Sequence, residues 1–175
     1  NDWIFDVSIT ANRPDCQSIF GLAREVAAAL GQPLKTPALD YTETEVEKEG
    51  FDVTVEAQDL CPRYIAHYVY DVKLGQSPAW MRRRLALVGN NSISNIVDIT
   101  NYIMRELGQP LHAFDCDYLE GNAIQVRRAK EGEKIVTLDE KEFTLNPSNL
   151  VICDGKKPVA LAGIMGGLNS EIRDT

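Results

Sequence analysis

Apolar residues recur at helical spacing after Ser94, and this stretch is the most clearly patterned part of the chain. The apolar stripe consists of Ile96, Ile99, Ile103 and Leu107. Spacings of three and four residues place such side chains along one side of an α-helix. Ser94 or Asn95 can cap the start of this helix. Gly108 can adopt the left-handed backbone that often follows a helix, and Pro110 prevents the helix from continuing.

Polar groups lie on this helix and directly after it. Thr100 and Asn101 fall outside the apolar stripe, while Asp98 falls in the first turn, where a negative charge suits the helix dipole. His112, one of only two histidines, follows in residues 111–115, a segment with neither a helical nor a strand period. Thr100, Asn101 and His112 could orient a water molecule and an ester without a protein nucleophile.

The first 50 residues predict a strand, a helix and a connecting segment. Residues 3–10 alternate between apolar and polar side chains, which predicts a half-buried strand. Asp15 is expected to cap a helix that runs to Leu30, since a glycine and a proline follow. Residues 34–50 contain Pro37 and an acidic run, and we place a linker or domain boundary there. A solvated loop fits these residues equally well.

The next forty residues predict two strands and a helix. Alternation predicts a strand at 51–55 and a longer one at 63–74, on which His67 has a structural role. Ser77 is expected to cap a helix that runs to Val88. Its arginine run, 82–84, fans around the helix, which favours a solvated face over a phosphate clamp.

The remainder of the chain predicts strands. One strand is expected at 124–128, and two hairpins follow, with turns at 139–141 and 154–157. The glycines in 163–167 permit a close backbone approach that exposes N–H groups to a ligand, although a tight turn in a packed sheet would use them equally well. The order of elements predicts an α+β fold, with mixed or antiparallel sheets and packed helices.

Composition narrows the class of protein. The chain has 175 residues and a net charge of −8, which disfavours broad attraction to nucleic acid or membranes without excluding contact with an RNA end. No apolar run approaches the roughly 20 residues that span a bilayer.

The four cysteines form no CxxC pair, so we predict no metal site, no disulfide framework and a cytoplasmic location. The chain begins without Met and shows no secretory signal, and we interpret it as an excised fragment, although processing would look the same.

Common hydrolytic motifs are absent from the sequence. No GxSxG turn exists, so a serine hydrolase is poorly supported. Cys116 lies four residues after His112, but this spacing fixes no geometry outside a helix. Asp115 and Asp117 could bind a cation or cap a turn, and the turn is favoured.

Several segments together resemble a known family. They read TANRPDCQSIFGLAREVAAAL, CPRYIAHYV, SNIVDITNYIMRELGQPLHAFD, VRRAKEGEKIVTLD and ALAGIMGG. In these segments the sequence resembles the beta chain of bacterial phenylalanine–tRNA ligases, in the region called B3/B4. The resemblance implies that residues 1–37 end a preceding B1-like region, that 38–50 form a linker, and that 51–175 form a B3/B4-like editing domain. A free-standing B3/B4-like protein is the alternative.

The resemblance implies an editing activity. In this family B3/B4 hydrolyses tRNA(Phe) mischarged with tyrosine, while the alpha subunit performs aminoacylation. A site that hydrogen-bonds the tyrosine hydroxyl discriminates steeply, whereas an apolar pocket for phenylalanine does not. By resemblance, Thr100, Asn101 and His112 are the catalytic residues, while Gly163 and Gly166 bind substrate through the backbone.

The resemblance also implies partners, and the sequence departs from the family pattern in two places. Expected partners are the tRNA(Phe) 3′ end and the alpha subunit in an (αβ)2 assembly, with ATP and Mg²⁺ used by the whole enzyme and no cofactor in this region. Some members have an arginine where this chain has Asn91, and the family's acidic reader of the tyrosine hydroxyl lies beyond Thr175. We therefore expect the fragment to be inactive or weakly active alone. A structural or RNA-docking module without hydrolytic activity remains the alternative function.

Overall fold

The computed structural model describes residues 3–38, 40–42 and 51–172. The chain divides into two compact units. The first contains the described residues of Asn1–Glu43 together with Lys73–His112, and the second those of Thr44–Val72 together with Ala113–Thr175. The acidic run and most of the predicted linker lie outside the described residues.

The first unit contains the helices. These are α1 (Ile19–Leu30), α2 (Ala79–Leu87) and α3 (Asn95–Leu107), and α3 packs against both of the others. Ser18 caps α1 by accepting a hydrogen bond from the Gly21 N–H at 3.0 Å, so the prediction that Asp15 is the cap was wrong. Asp15 instead belongs to a short 3₁₀ turn and pairs with Arg13. Along the described parts of the chain, no helix is both long and apolar enough to cross a membrane.

The second unit contains the strands. They are β1 (Asp52–Val55), β2 (Ala123–Arg128), β3 (Lys134–Val136), β4 (Glu142–Thr144), β5 (Leu150–Cys153), β6 (Pro158–Leu161) and β7 (Met165–Gly166). Five of them form a sheet of order β1-β2-β5-β6-β7, in which only the β1–β2 pair is parallel. Strands β3 and β4 form a separate hairpin. The predicted α+β class and both predicted hairpins are confirmed.

Two small apolar clusters form the core of the second unit. One contains Val151 and Cys153 of β5 with Ile135 of β3, and the other contains Ile124 of β2 with Val159 of β6. All five side chains are at least 97% buried. Alternating strand residues therefore pack on opposite faces, as strand geometry requires.

Two predicted strands are absent from the structure. Residues 3–10 and 63–74 are not part of any sheet formed by the described residues, and most of their side chains are exposed. Phe5 and Tyr70, which lie at apolar positions of these two predicted strands, are exposed. Alternation gives a strand one apolar face, but the strand forms only where a second strand accepts its hydrogen bonds.

Candidate functional site

Helix α3 holds Thr100 and Asn101 in its middle, where the backbone is fully hydrogen-bonded. Ser94 caps the start of α3 with its side chain, and Gly108 ends it in a left-handed conformation with φ of +79°. Both helix ends therefore follow the sequence prediction. The Thr100 hydroxyl donates to the Val97 carbonyl at 2.8 Å, which leaves its lone pairs available as acceptors. The half-buried Asn101 amide forms no hydrogen bond with another described residue.

Asp98 anchors the first turn of α3, and this role was not predicted. Its carboxylate is fully buried and accepts hydrogen bonds from the Ser77 and Ser92 hydroxyls, each at 2.5 Å, and from the Ile93 N–H at 2.8 Å. Burial alone would raise the pKa of Asp98, but these three hydrogen bonds outweigh it and hold the pKa below its ordinary value. Ser77, predicted as the α2 cap, binds Asp98 instead, and α2 begins without a side-chain cap.

His112 lies in the irregular segment that follows α3, as the sequence predicted. His112 is an exposed residue, yet desolvation by surrounding protein atoms lowers the pKa of its imidazole below the ordinary value of 6.5. This shift favours the neutral imidazole. A neutral imidazole has one nitrogen that donates and one that accepts a hydrogen bond.

Gly163 forms an exposed turn between β6 and β7. Its φ is +71°, a conformation that favours glycine, and a Cβ built there would meet no atom within 4 Å. The Gly163 N–H forms no backbone hydrogen bond with the described residues, whereas the next N–H, of Ile164, donates to the Leu161 carbonyl at 3.0 Å. The turn thus presents an open N–H donor.

Gly166 and Gly167 differ from Gly163 because both are buried. The Gly166 carbonyl accepts a hydrogen bond from the Leu138 N–H at 3.0 Å. A Cβ on Gly167 would lie 2.6 Å from the Val159 carbonyl oxygen, so that position requires glycine. These two glycines therefore hold the turn against the sheet, and only Gly163 presents an open N–H.

An open groove of about 450 Å³ runs beside the Gly163 turn within the second unit. Its walls include the residues on both sides of Gly163, namely Ala162 and Ile164, together with Phe143 and Asn149. The lining mixes apolar side chains with hydroxyl and amide groups, so the groove is not a closed apolar pocket. Thr100, Asn101 and His112 belong to the first unit, while Gly163 and Gly166 belong to the second.

Acidic and thiol groups elsewhere form no comparable site. Asp115 accepts a hydrogen bond from the Asp117 N–H at 3.0 Å, so the prediction that it caps a turn is confirmed. Among the described residues, metal-ligating atoms converge only at Asp15, Cys16 and Glu25. There the Arg13 guanidinium already pairs with both carboxylates, which neutralises the charge that would attract a cation.

Comparison with known proteins identifies the family. A family model described as "B3/4 domain" matches residues 60–175. The chain belongs to the B3/4 domain family. This match lies inside the range 51–175 expected from the sequence, whose boundary at residue 50 stays a prediction.

Three relatives of this B3/4 chain are named as phenylalanine–tRNA ligase beta subunits. Those of Syntrophus aciditrophicus, Geobacter metallireducens and Bacillus thuringiensis subsp. konkukian are 57%, 54% and 51% identical to it, each over 98% of the chain. Each alignment covers 22% of the relative. The B3/4 chain therefore spans about a fifth of the length of the curated relatives it matches.

Proposed function

We propose that this chain is the B3/4 editing region of a phenylalanine–tRNA ligase beta subunit and hydrolyses tyrosine from mischarged tRNA(Phe). The observation that carries this proposal is the similarity of nearly the whole chain to such beta subunits. We assign residues 1–37 to the end of a B1-like region, 38–50 to a linker and 51–175 to the editing domain. The whole enzyme would be a cytoplasmic (αβ)2 assembly that uses ATP and Mg²⁺ in its alpha subunit.

The hydrolysis needs a water molecule, an ester and groups that orient both. Water adds to the ester carbonyl, the bond from that carbonyl carbon to the ribose oxygen breaks, and the ribose oxygen takes up a proton. The Asn101 amide, which forms no hydrogen bond with another described residue, can donate to the ester carbonyl oxygen. Thr100 accepts a hydrogen bond from the ribose or the water, since its own proton is engaged with Val97. Neutral His112 accepts a hydrogen bond from the attacking water.

In this proposal the glycine turn recognises the tyrosine side chain. The open Gly163 N–H donates to the tyrosine hydroxyl, which phenylalanine lacks. Gly166 shapes the turn through its buried backbone. If the bound side chain shields this exposed N–H from water, an N–H left without a partner costs about 1–3 kcal/mol, so tyrosine is favoured over phenylalanine by about ten-fold.

The test is release of tyrosine from Tyr-tRNA(Phe) by the full-length enzyme, comparing wild type with His112→Ala. His67→Ala is the matched control, because His67 is the second histidine and is exposed. We expect His112→Ala to reduce the rate of tyrosine release at least ten-fold while phenylalanine charging is retained. His67→Ala should behave as wild type. Unchanged release in His112→Ala would remove His112 from the mechanism. If the wild type also released no tyrosine, the region would be a structural or RNA-docking module without hydrolytic activity.

The pH profile tests the role assigned to the imidazole. His112 accepts a proton only when it is neutral, and its pKa lies below 6.5. Release should therefore fall in acidic solution as the pH drops through this lowered pKa. A rate that rises with acidity would contradict a neutral His112.

A further inference from the structure

Five residues of α2 and α3 form a surface of aromatic rings and arginines, of which four are exposed and Tyr102 is half-buried. They are Trp80, Arg83 and Arg84 on α2 with Tyr102 and Arg105 on α3, and we refer to them as the Trp80 surface. Arg83 and Arg84 lie three and four residues after Trp80, and Arg105 lies three residues after Tyr102, which places each set on one side of its helix. The mechanism proposed above uses none of them.

The rings of the Trp80 surface are held in a fixed arrangement. Trp80 and Tyr102 meet edge to face, with centroids 5.5 Å apart and ring planes at 89°. The Arg84 guanidinium lies 5.5 Å from the centre of the Trp80 ring and donates to the Tyr102 hydroxyl at 2.5 Å. Trp80 nevertheless remains 52% exposed. The Trp80 ring is therefore held in place by its neighbours while about half of its surface faces solvent. A polar residue would be better solvated at such a position.

The charge around this surface opposes that of the whole chain. Residues 73–112 carry five basic and two acidic side chains, a net charge of +3, whereas the whole chain carries −8. Of the two acids, Asp98 is buried, and Glu106 accepts a hydrogen bond from the Tyr102 hydroxyl at 3.1 Å. Arg105 is exposed and is oriented by Asn90, to whose side-chain oxygen it donates at 2.7 Å. The surface is therefore a local positive patch on an acidic chain.

We propose that the Trp80 surface binds an unpaired segment of RNA, with a base stacked on Trp80 and phosphates paired with Arg83 and Arg105. Stacking platforms flanked by arginines are the general means of binding single-stranded nucleic acid. The charge favours RNA over an apolar protein partner, because an apolar partner would desolvate the arginines. The inference that the RNA is tRNA rests on the proposed function. The predicted solvated face at 82–84 would then be a phosphate-binding face.

The experiment measures binding of uncharged tRNA(Phe) to the full-length enzyme as a function of salt. Trp80→Ala should weaken binding about ten-fold or more, and Trp80→Phe should retain most of the affinity because phenylalanine still stacks. Arg83→Ala and Arg105→Ala should each reduce the slope of log affinity against log salt by about one. Arg24→Ala is the matched control, since Arg24 is an exposed arginine on α1. Thermal unfolding of each variant shows whether weaker binding comes from a lost contact with the RNA or from a destabilised fold.

The outcomes distinguish this inference from the proposed function. Because the tRNA is uncharged, binding is measured whether or not the enzyme releases tyrosine. Equal affinity and salt slope for wild type, Trp80→Ala and Arg105→Ala would overturn the RNA assignment. Loss of subunit assembly in Trp80→Ala with tRNA affinity unchanged would also overturn it, and would identify a protein partner instead.

Discussion

Asp98 illustrates how one side chain can fix the position of its neighbours. Its carboxylate links the start of α2, through Ser77, to the start of α3, through Ser92 and Ile93. Thr100 and Asn101 follow within one helical turn, so their positions depend on this anchor. The sequence placed Asp98 correctly in the first turn, but the three donors come from outside the helix, and helical spacing cannot reveal them.

Replacing Asp98 should destabilise the first unit markedly. Asp98→Ala leaves two hydroxyls and one N–H without their charged acceptor, and we expect a loss of about 3 kcal/mol in the free energy of unfolding. Asp98→Asn keeps the shape of the side chain and one acceptor oxygen, so it should lose less stability. Urea unfolding of both variants measures the difference. Equal stability of wild type and Asp98→Ala would mean that the anchor contributes nothing.

Acid should weaken the same anchor. The pKa of Asp98 is lower in the folded chain than its ordinary value of 3.8, so its contribution is fully present above about pH 4 and is lost as the pH falls through the folded pKa. Glu133 has a lowered pKa for a similar reason, its hydrogen bond to Arg127. Unfolding measured between pH 7 and 2 should therefore show falling stability in wild type. The decline should be shallower in Asp98→Asn, which cannot titrate at this position.

Elements were predictable where their signals are local. The ends of α3 follow from Ser94 and Gly108, and the end of α1 follows from Gly31, because caps act within one turn of the helix. The hairpins were predictable for the same reason, since each turn lies between its own two strands. Within the described part of the chain, the strands expected at 3–10 and 63–74 do not form, because a strand also needs a distant partner, which alternation does not specify.

Two glycines that end helices provide a matched test of the α3 terminus. Gly108 and Gly89 have φ of +79° and +78°, so alanine at either position should cost about 1 kcal/mol in backbone strain. A Cβ at Gly108 would also lie 3.3 Å from the Ser18 Cβ, whereas at Gly89 it would meet nothing within 4 Å. Chemical unfolding should therefore find Gly108→Ala less stable than Gly89→Ala. The reverse order would contradict the close approach of Gly108 to Ser18.

At the scale of the whole molecule, the sequence could name candidate site residues but could not give their surroundings. Thr100, Asn101, His112 and Gly163 were named from family motifs, and helix α3 and the glycine turn provide the local geometry for each. The lowered pKa of His112 and the contrast between exposed Gly163 and buried Gly166 depend on burial, which the sequence does not give. The assigned roles stay predictions until the hydrolysis is measured.

Thiol reactivity reports whether the second unit is packed as described. Cys153 is fully buried, and this burial raises its pKa to about 12, while Cys61 is only partly buried. The thiolate is the reactive form, so Cys153 should react with iodoacetamide at least ten-fold more slowly than Cys61 at about pH 7.5. Mass spectrometry of the labelled peptides measures both rates in one sample. In urea the rates should converge, and equal rates in the native protein would contradict the packing around β5.

The parallel pairing of β1 with β2 has a consequence for synthesis on the ribosome. Asp52 pairs with Ala123, 71 positions later, and all of α2 and α3 lies between them. At about 5–20 residues per second, β1 would wait roughly 4–14 s for its partner after leaving the ribosome. Over that interval its unpaired edge is open to other chains, which makes residues 52–55 the segment for a nascent-chain chaperone to shield.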